Sequence, residues 1–356
     1  MDIQKFLRFP LLFLGIFSLA AAVWLGLQRM GWSLPVFSAT LALYHGQLMF
    51  GGFFGTVIGL ERAAVLKRTW GYFAPVLTGS GSVLMLIDPE IIVGPAMISA
   101  GSLILVGIFV VFIKRDVGFH MLVMSAGALA WLTGNILWLA GFPVAVVSVW
   151  WMGFLILTIA GERLELSRLL VLTRGKKVQF SAGITSLLVG MLVTTFNFEH
   201  GLHVSGFGML ILSMWLLRYD MAKKSIRQKG LPRFIAVSLI TGYIWLGLGG
   251  LLAFFSGGQQ AGLVYDALIH SVGLGFVFSM ILGHAPVIFP AILKVRMIFR
   301  RTYYIPLILL HISLIFRVAA DHAGWLEGRM WGGMVNGIAV LLFLINTITS
   351  IRSNPD

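Results

Sequence analysis

Four of the eight histidines lie inside apolar stretches of the sequence, where ionisable side chains are rare. They are His45, His270, His284 and His311. An imidazole inside a membrane segment is a candidate for proton transfer or metal ligation, or it forms a hydrogen bond to a neighbouring helix. The chain has no cysteine, so disulfides and thiolate ligands are excluded. Metal chemistry would therefore depend on histidine, methionine and the few carboxylates.

The amino-acid composition indicates which kind of secondary structure carries these histidines. The chain has 356 residues, of which 58% are hydrophobic and only 11% charged. Apolar runs of about 20 residues, the length that crosses a bilayer as a helix, recur along the whole chain. We therefore predict an all-α integral membrane protein, with residues 1–356 forming a single polytopic membrane domain. The predicted membrane segments lie near 9–28, 36–60, 72–87, 91–113, 118–140, 144–160, 180–196, 203–217, 234–255, 261–293, 303–320 and 330–350.

Basic residues sort the loops into two sides. All of the 26 lysines and arginines except Arg29, Arg317 and Arg329 fall at the N-terminus or in loops on the same side of the predicted membrane. The positive-inside rule then predicts that both termini are cytoplasmic, in the inner (cell) membrane of a bacterium. We call the opposite side the predicted outer side. The net charge of +13 is a topology signal on this interpretation, and binding to nucleic acid is not expected.

A short motif recurs at the ends of three segments. The second segment ends in IGLERAAVL (58–66), the sixth in IAGERLELS (159–167) and the tenth in ILGHAPVIF (281–289). The three motifs are four segments apart and lie on the same predicted side of the membrane. This recurrence predicts about twelve transmembrane helices arranged as three four-helix units related by pseudo-threefold symmetry.

His45 and His270 lie at equivalent positions in two of these repeats. Each is about nine residues from the predicted outer end of its segment, hence roughly 13 Å deep at 1.5 Å per residue. Two neutral imidazoles at one depth on facing helices are the arrangement that a bis-histidine b-type haem requires. Gly51 and Gly55 would give room for the ring, although ordinary close packing of helices explains such glycines equally well. The alternative for both histidines is a hydrogen bond between helices.

The remaining candidates have weaker patterns. Arg317 and Arg329 would bind haem propionates, or else anchor their helices at the membrane interface. His284 is roughly 21 Å from His270 along the segment, so it cannot bind the same iron. It is a candidate for a second metal such as copper, for a proton path, or for a polar network that joins the repeats. We expect His311 to be structural.

Three further histidines have nearby carboxylates. His200, His203 and His322 are expected in outer loops close to Glu199 and Asp321. A metal site there is conceivable from the residue types, but their spacing favours a solvated loop.

The motifs resemble those of a known group of proteins. HGQLM (45–49) in the second segment and the histidine of the tenth segment resemble the catalytic subunit of haem–copper oxidases and nitric oxide reductases. The run HSVGLGFVFSMILGHAP (270–286) resembles the NnrS family of twelve-helix membrane proteins associated with haem, copper and nitric oxide stress. The resemblance implies a fold like subunit I of those oxidases and a low-spin haem bound by His45 and His270.

Departures from that pattern narrow the expected activity. The oxidases have a second histidine two residues before the haem ligand of the tenth helix, where this chain has Leu268. Their copper ligands lie on helices six and seven, and the corresponding segments here contain no histidine. Oxygen reduction at a binuclear centre is therefore not expected.

The sequence thus predicts a haem b protein that serves electron transfer or nitric oxide handling, and it leaves any enzymatic turnover open. The electron donor, a quinol or a cytochrome, is not specified by the sequence. Two alternatives remain, a twelve-helix proton-coupled transporter of small molecules and a haem or copper assembly factor.

Overall fold

Twelve helices of membrane-spanning length are present in the computed structural model, which describes residues 3–35, 40–167, 173–256 and 258–352. The prediction of an all-α multi-pass membrane protein is thereby confirmed. In chain order the helices, α1 to α12, are Ile3–Arg29, Leu41–Leu66, Thr69–Ile87, Val93–Arg115, Phe119–Leu139, Val144–Leu166, Arg174–Thr194, Phe198–Tyr219, Leu231–Phe255, Leu263–Leu293, Arg301–His322 and Leu326–Thr349. Residues 36–39, where the second predicted segment begins, and Arg168 lie outside the described residues.

Several helices are not α-helical throughout. Helices α2, α3 and α11 each begin with a 3₁₀ turn, at Leu41–Tyr44, Thr69–Tyr72 and Arg301–Tyr303. Helix α2 continues as a π-helix over Leu48–Phe54, and α10 does so over Ser271–Phe278. Outside the twelve helices, the described residues form a single-turn helix at Ala222–Ser225 and two short antiparallel strands, Arg296–Met297 and Ile351–Arg352.

The chain is organised as two compact units, Met1–Phe154 and Leu155–Asp356, and the boundary falls within α6. Each unit contains the partners that fix its own candidate residues. The predictions of a single membrane domain and of three four-helix units related by symmetry remain predictions.

In the first unit, α1 packs against α2 and α3, and α3 packs against α4. Small residues permit these close approaches. A Cβ at Gly81 would lie 2.8 Å from the carbonyl oxygen of Gly94, and a Cβ at Gly94 would lie 2.9 Å from the carbonyl oxygen of Gly81. Because helices in hydrocarbon associate through close packing, this glycine pair holds α3 and α4 together.

In the second unit, glycines also allow helices to pack closely. Helices α7 and α8 form an antiparallel hairpin, α9 packs on α8, and α10 packs on α9. At the contact between α8 and α9, a Cβ at Gly206 would lie 2.6 Å from the carbonyl oxygen of Gly250. Helices α11 and α12 also form a hairpin, and α11 contacts the N-terminal half of α10. This places α10 between α9 and α11.

Large apolar side chains remain exposed along the helices, among them Phe13, Leu103, Leu192 and Ile312. Extended apolar surface of this kind is unfavourable in water and favourable in lipid. Together with the twelve long helices, it identifies the bilayer as the surroundings of this chain.

The π-helix of α10 offers a matched test of this packing. A Cβ at Gly275 would overlap the ring of Trp245, whereas a Cβ at Gly273, in the same π-helix, would meet nothing within 4 Å among the described residues. We expect Gly275→Ala to destabilise the protein by about 1–3 kcal/mol through overpacking. Thermal unfolding of the purified protein in detergent measures the effect. Gly273→Ala is the control, and an equal loss of stability in both variants would contradict this account.

Candidate histidine and ion-pair sites

His45 is fixed by α1. Its Nδ1 lies 2.6 Å from the backbone carbonyl oxygen of Ala22. A carbonyl oxygen only accepts, so Nδ1 must carry the proton and donate it. Gly26, one turn further along α1, leaves room for the ring, because a Cβ there would lie 2.8 Å from Nδ1. The imidazole is therefore held in the tautomer in which Nε2 is the accepting nitrogen, the atom that a metal would bind.

His270 shows the same arrangement within its own helix. Its Nδ1 lies 2.8 Å from the backbone carbonyl oxygen of Asp266, one turn earlier in α10. By the same argument Nδ1 donates, and Nε2 is the accepting atom. Here Nε2 lies 3.3 Å from Nη2 of Arg317, which donates to it. The side chain is 17% exposed, so the ring is neither fully buried nor on the surface.

Both histidines directly precede a π-helix. The segment Leu48–Phe54 begins three residues after His45, and Ser271–Phe278 begins one residue after His270. π-Helical turns are rare and occur frequently at functional sites. Helix α6, which carries the second repeat motif and no histidine, is α-helical throughout; its Trp151 lies 5.5 Å, ring to ring, from Phe50 of α2. The two repeats with a membrane histidine thus share a backbone feature that the third lacks.

The helix starts differ from those expected. His45 is the fifth residue of α2 and His270 the eighth of α10, where the sequence predicted about nine for each. The equal depth of the two imidazoles remains a prediction, because they belong to different units.

The glycines of α2 contact side chains of their own unit. A Cβ at Gly51 would lie 2.9 Å from Ile98, and a Cβ at Gly55 would overlap Trp131. Side chains of the same unit use the room at both positions, and the expectation that these glycines leave room for a haem ring remains a prediction. Space is open elsewhere: among the described residues, nothing lies within 4 Å of a Cβ built at Gly46 or at Gly273. One of these glycines follows each histidine.

A group of four charged side chains adjoins His270. Asp266 is held by Arg317, whose Nε and Nη2 each donate to a carboxylate oxygen at 3.0 Å. Arg329 of α12 donates to the same carboxylate at 3.0 Å, and its Nε lies 3.1 Å from Asp321. The side chains of Asp321 and Arg317 are buried, at 1% and 5% exposed. Three helices, α10, α11 and α12, are joined through these ion pairs.

Two carboxylates and two guanidinium groups balance in charge. The positive charge that haem propionates would use is therefore already paired with Asp266 and Asp321. The propionate role of Arg317 and Arg329 remains a prediction, and it would require one of these ion pairs to open.

From the sequence we did not identify Asp266 as a candidate residue, and we did not expect Asp321 to lie in a helix. Asp321 was expected in a loop but lies in the last turn of α11, because the helix continues to His322. A signal was present: Asp266 and His270 are four residues apart, as are Arg317 and Asp321, and side chains four apart share a helix face.

His284 belongs to a second group of the same type. Arg163 of α6 donates from Nε and Nη2 to the two carboxylate oxygens of Asp220, each at 2.9 Å. Its Nη1 lies 3.4 Å from Nε2 of His284, whose Nδ1 lies 2.7 Å from the carbonyl oxygen of Met280. Arg163 and His284 come from the second and third repeat motifs, so the structure favours the polar network over a second metal. A guanidinium beside Nε2 opposes binding of a cation there.

The other histidines have local roles. His311 accepts a hydrogen bond at Nδ1 from Nε1 of Trp245, at 2.9 Å, which agrees with its expected structural role. His200 and His203 lie in α8 and His322 ends α11, so the expected loop positions are wrong. Within the described ranges, no group of three or more histidine, aspartate or glutamate side chains is placed to hold a metal ion.

The fold and these sites define a polytopic α-helical membrane protein with two Arg–Asp–His groups in its second unit. The chain belongs to the family described as a domain of unknown function, DUF8744, whose model matches residues 8–352. No curated protein matches the sequence.

The ion pairs around Asp266 predict a large effect of neutralising this one side chain. Asp266→Asn would leave Arg317 and Arg329 without their shared counter-charge, and breaking a buried pair in this way costs roughly 3–5 kcal/mol. Denaturant or thermal unfolding in detergent measures the loss. Glu327→Gln makes the same chemical change at an exposed position in the first turn of α12 and should be nearly neutral. Similar stability of the two variants would show that the ion pairs do not hold the three helices together.

Proposed function

We propose that the chain is a membrane haem protein in which Nε2 of His45 and Nε2 of His270 are the axial ligands of one b-type haem. It would serve electron transfer or nitric oxide handling. The observation that supports this most is the tautomer of the two rings. In each unit, Nδ1–H is committed to a backbone carbonyl, at 2.6 Å for His45 and 2.8 Å for His270, as in most metal-ligating histidines.

The surroundings of each histidine suit such a ligand. A π-helix begins soon after each histidine, and Gly46 and Gly273, where an added Cβ would meet nothing within 4 Å among the described residues, follow His45 and His270 by one and three residues. Neutral imidazole nitrogens are also the usual axial donors of b-type haem. The donor set of the chain therefore fits the proposed cofactor.

One adjustment is required at His270. Arg317 donates to its Nε2 at 3.3 Å, so ligation would require Nη2 of Arg317 to turn away. Nε of Arg317 can remain bound to Asp266 during this change, because it donates separately, to Oδ2. The hydrogen bond from Nδ1 to the carbonyl of Asp266 is not affected and keeps the ring oriented.

The proposed ligation has a chemical consequence. A bound b-type haem with two histidine ligands supplies one-electron transfer, and a gas could bind only if one histidine left. His270 is the ligand better placed to leave, since Arg317 lies ready to donate to its Nε2 once it is free. The ring of His45 is held in place by α1, through the carbonyl oxygen of Ala22 and the close approach of Gly26.

A proton-coupled transporter is the second candidate, and the buried charges favour it. Ionisable groups inside membrane segments often mark ion or proton paths. Asp266 with Arg317, and Asp220 with Arg163, are two such groups. A protein that purifies without haem but supports proton flux in liposomes, lost in Asp266→Asn, would favour this candidate over the haem protein.

The haem proposal is tested by visible spectroscopy of the purified protein, produced with adequate haem. We expect a sharp reduced α-band near about 560 nm, typical of b-type haem. His45→Ala and His270→Ala should each abolish the band, whereas His284→Ala should keep it. His322→Ala, at the exposed end of α11, is a surface control that should leave the spectrum unchanged. A wild-type protein without the band, or a band that survives both ligand substitutions, would overturn the proposal.

A further inference from the structure

The hairpin of α7 and α8 carries exposed apolar side chains that lie next to cations. On α7, Val178 is 59% exposed, and Arg174, one turn nearer the start of the helix, is exposed as well. On α8, Met214 is 60% exposed, and Arg218, one turn nearer the end of the helix, is also exposed. Residues four apart lie on the same face of a helix. Each helix therefore presents an apolar side chain within its membrane segment and a cation at its end.

The start of α7 and the end of α8 lie side by side. Nε1 of Trp215 donates a hydrogen bond to the backbone carbonyl oxygen of Lys176 at 2.8 Å. Nζ of Lys176 lies 5.2 Å from the centre of the Tyr219 ring, and the guanidinium carbon of Arg218 lies 5.7 Å from the same centre. At such distances the π-electrons of an aromatic ring attract a cation. Two cations, one from each helix, are thus held near one tyrosine.

Positive charge is concentrated around this pair. Residues 173–177 and 214–233 contain nine lysines and arginines and one acidic residue, Asp220. The nine are Arg174, Lys176, Lys177, Arg218, Lys223, Lys224, Arg227, Lys229 and Arg233. Asp220 is 1% exposed, and both of its carboxylate oxygens accept from Arg163. Its charge is therefore already paired, and an anion that approached the exposed cations would be attracted.

The loop after α8 is fixed close to the hairpin end. Asp220, which Arg163 holds, also accepts a hydrogen bond from the backbone N–H of Ala222 at 2.8 Å. Ala222 begins a single-turn helix that carries the exposed Lys223 and Lys224. Because the loop is tied at its first residue, these two cations stay near the end of α8.

The position of the cations favours a lipid over a soluble anion. Helix α7 begins at Arg174 and α8 ends at Tyr219, so the cations lie at the ends of helices that cross the bilayer. A lysine or arginine held at an anionic membrane surface strengthens binding about fivefold. The exposed Val178 and Met214 lie one turn further into the membrane, where lipid tails would contact them. A soluble anion would use the cations but not this apolar surface.

We propose that this end of the α7–α8 hairpin binds an anionic phospholipid. The phosphate of the lipid would contact Lys176 and Arg218 beside Tyr219, because an arginine fork and a lysine ammonium both suit phosphate oxygens. The tails would lie against Val178 and Met214. The site shares no residue with the proposed haem ligands, so it can succeed or fail independently of haem binding.

Two lipids with the same tails test the head group. Native mass spectrometry counts the lipids bound to the full-length protein released from detergent, at increasing concentrations of dioleoyl phosphatidylglycerol or dioleoyl phosphatidylcholine. We expect the first phosphatidylglycerol to bind about tenfold or more tightly than phosphatidylcholine, since only its head group has a net negative charge. Glycerophosphoglycerol, the same head group without tails, and a short single-stranded oligonucleotide are added as competitors. Neither should displace the lipid.

Paired substitutions locate the binding. Lys176→Gln combined with Arg218→Gln should weaken phosphatidylglycerol binding about tenfold or more, because two cations are lost. Lys114→Gln combined with Arg115→Gln also removes two exposed cations from a helix end, that of α4, and should leave the affinity unchanged. If the first double variant does not fold, Arg218→Gln alone changes one exposed side chain and should weaken binding about fivefold. Lys176→Arg combined with Arg218→Lys keeps both charges and should keep the binding.

Four results would overturn the proposal. They are equal affinity for the two lipids, equal effects of the two double substitutions to glutamine, displacement of the lipid by glycerophosphoglycerol, and displacement by the oligonucleotide. The last two would show that the cations bind a soluble anion or a nucleic acid. The visible spectrum of the same samples reports haem separately, so a failure at this site is distinguishable from a failure of haem ligation.

Discussion

Hydrocarbon supplies no hydrogen-bond partner, and this constraint determines how the histidines of the membrane segments are arranged. His45, His270 and His284 meet it in one way: Nδ1–H donates to a backbone carbonyl at 2.6, 2.8 and 2.7 Å. For His270 and His284 the acceptor is the carbonyl four residues earlier, which the α-helix leaves accessible to the side chain. For His45 the acceptor is Ala22 on another helix, where Gly26 allows the close approach. The shared tautomer follows from satisfying one donor, and it makes Nε2 the accepting nitrogen of each ring.

The two histidines of α10 have the same type of partner at Nε2 but differ in the backbone beside them. Each accepts from an arginine that is itself paired with an aspartate, Arg317 with Asp266 and Arg163 with Asp220. Arg163 and Asp220 join α6 and α8, and no π-helix lies beside His284. Beside His270, a π-helix begins at the next residue and the space at Gly273 is open. The same three residue types thus form a polar network in one place and, on our proposal, a cofactor site in the other.

The helices were predictable because each must cross about 30 Å of hydrocarbon, and this requirement leaves a long apolar run in the sequence. His45, His270 and His284 were identifiable because they interrupt such runs. The charged side chains around His270 were harder to predict from the sequence. Asp266 and Asp321 lie near helix ends, where carboxylates are common, and only their spacing of four from His270 and Arg317 marked them. The π-helices could not be predicted, because a shift of the hydrogen-bond register leaves the apolar pattern of a buried helix unchanged. The packing of Gly51 and Gly55 against Ile98 and Trp131 depends on contacts between helices that one sequence does not specify.

The central proposal is that Nε2 of His45 and Nε2 of His270 bind the same iron. Electron paramagnetic resonance of the oxidised protein, combined with a measured haem content per chain, tests it most directly. The account predicts one b-type haem per chain and a ferric signal that is entirely low-spin, as two strong axial nitrogen ligands require. A high-spin ferric signal would show that one of the two histidines is not a ligand. A haem content near zero in protein made with abundant haem would contradict the claim altogether.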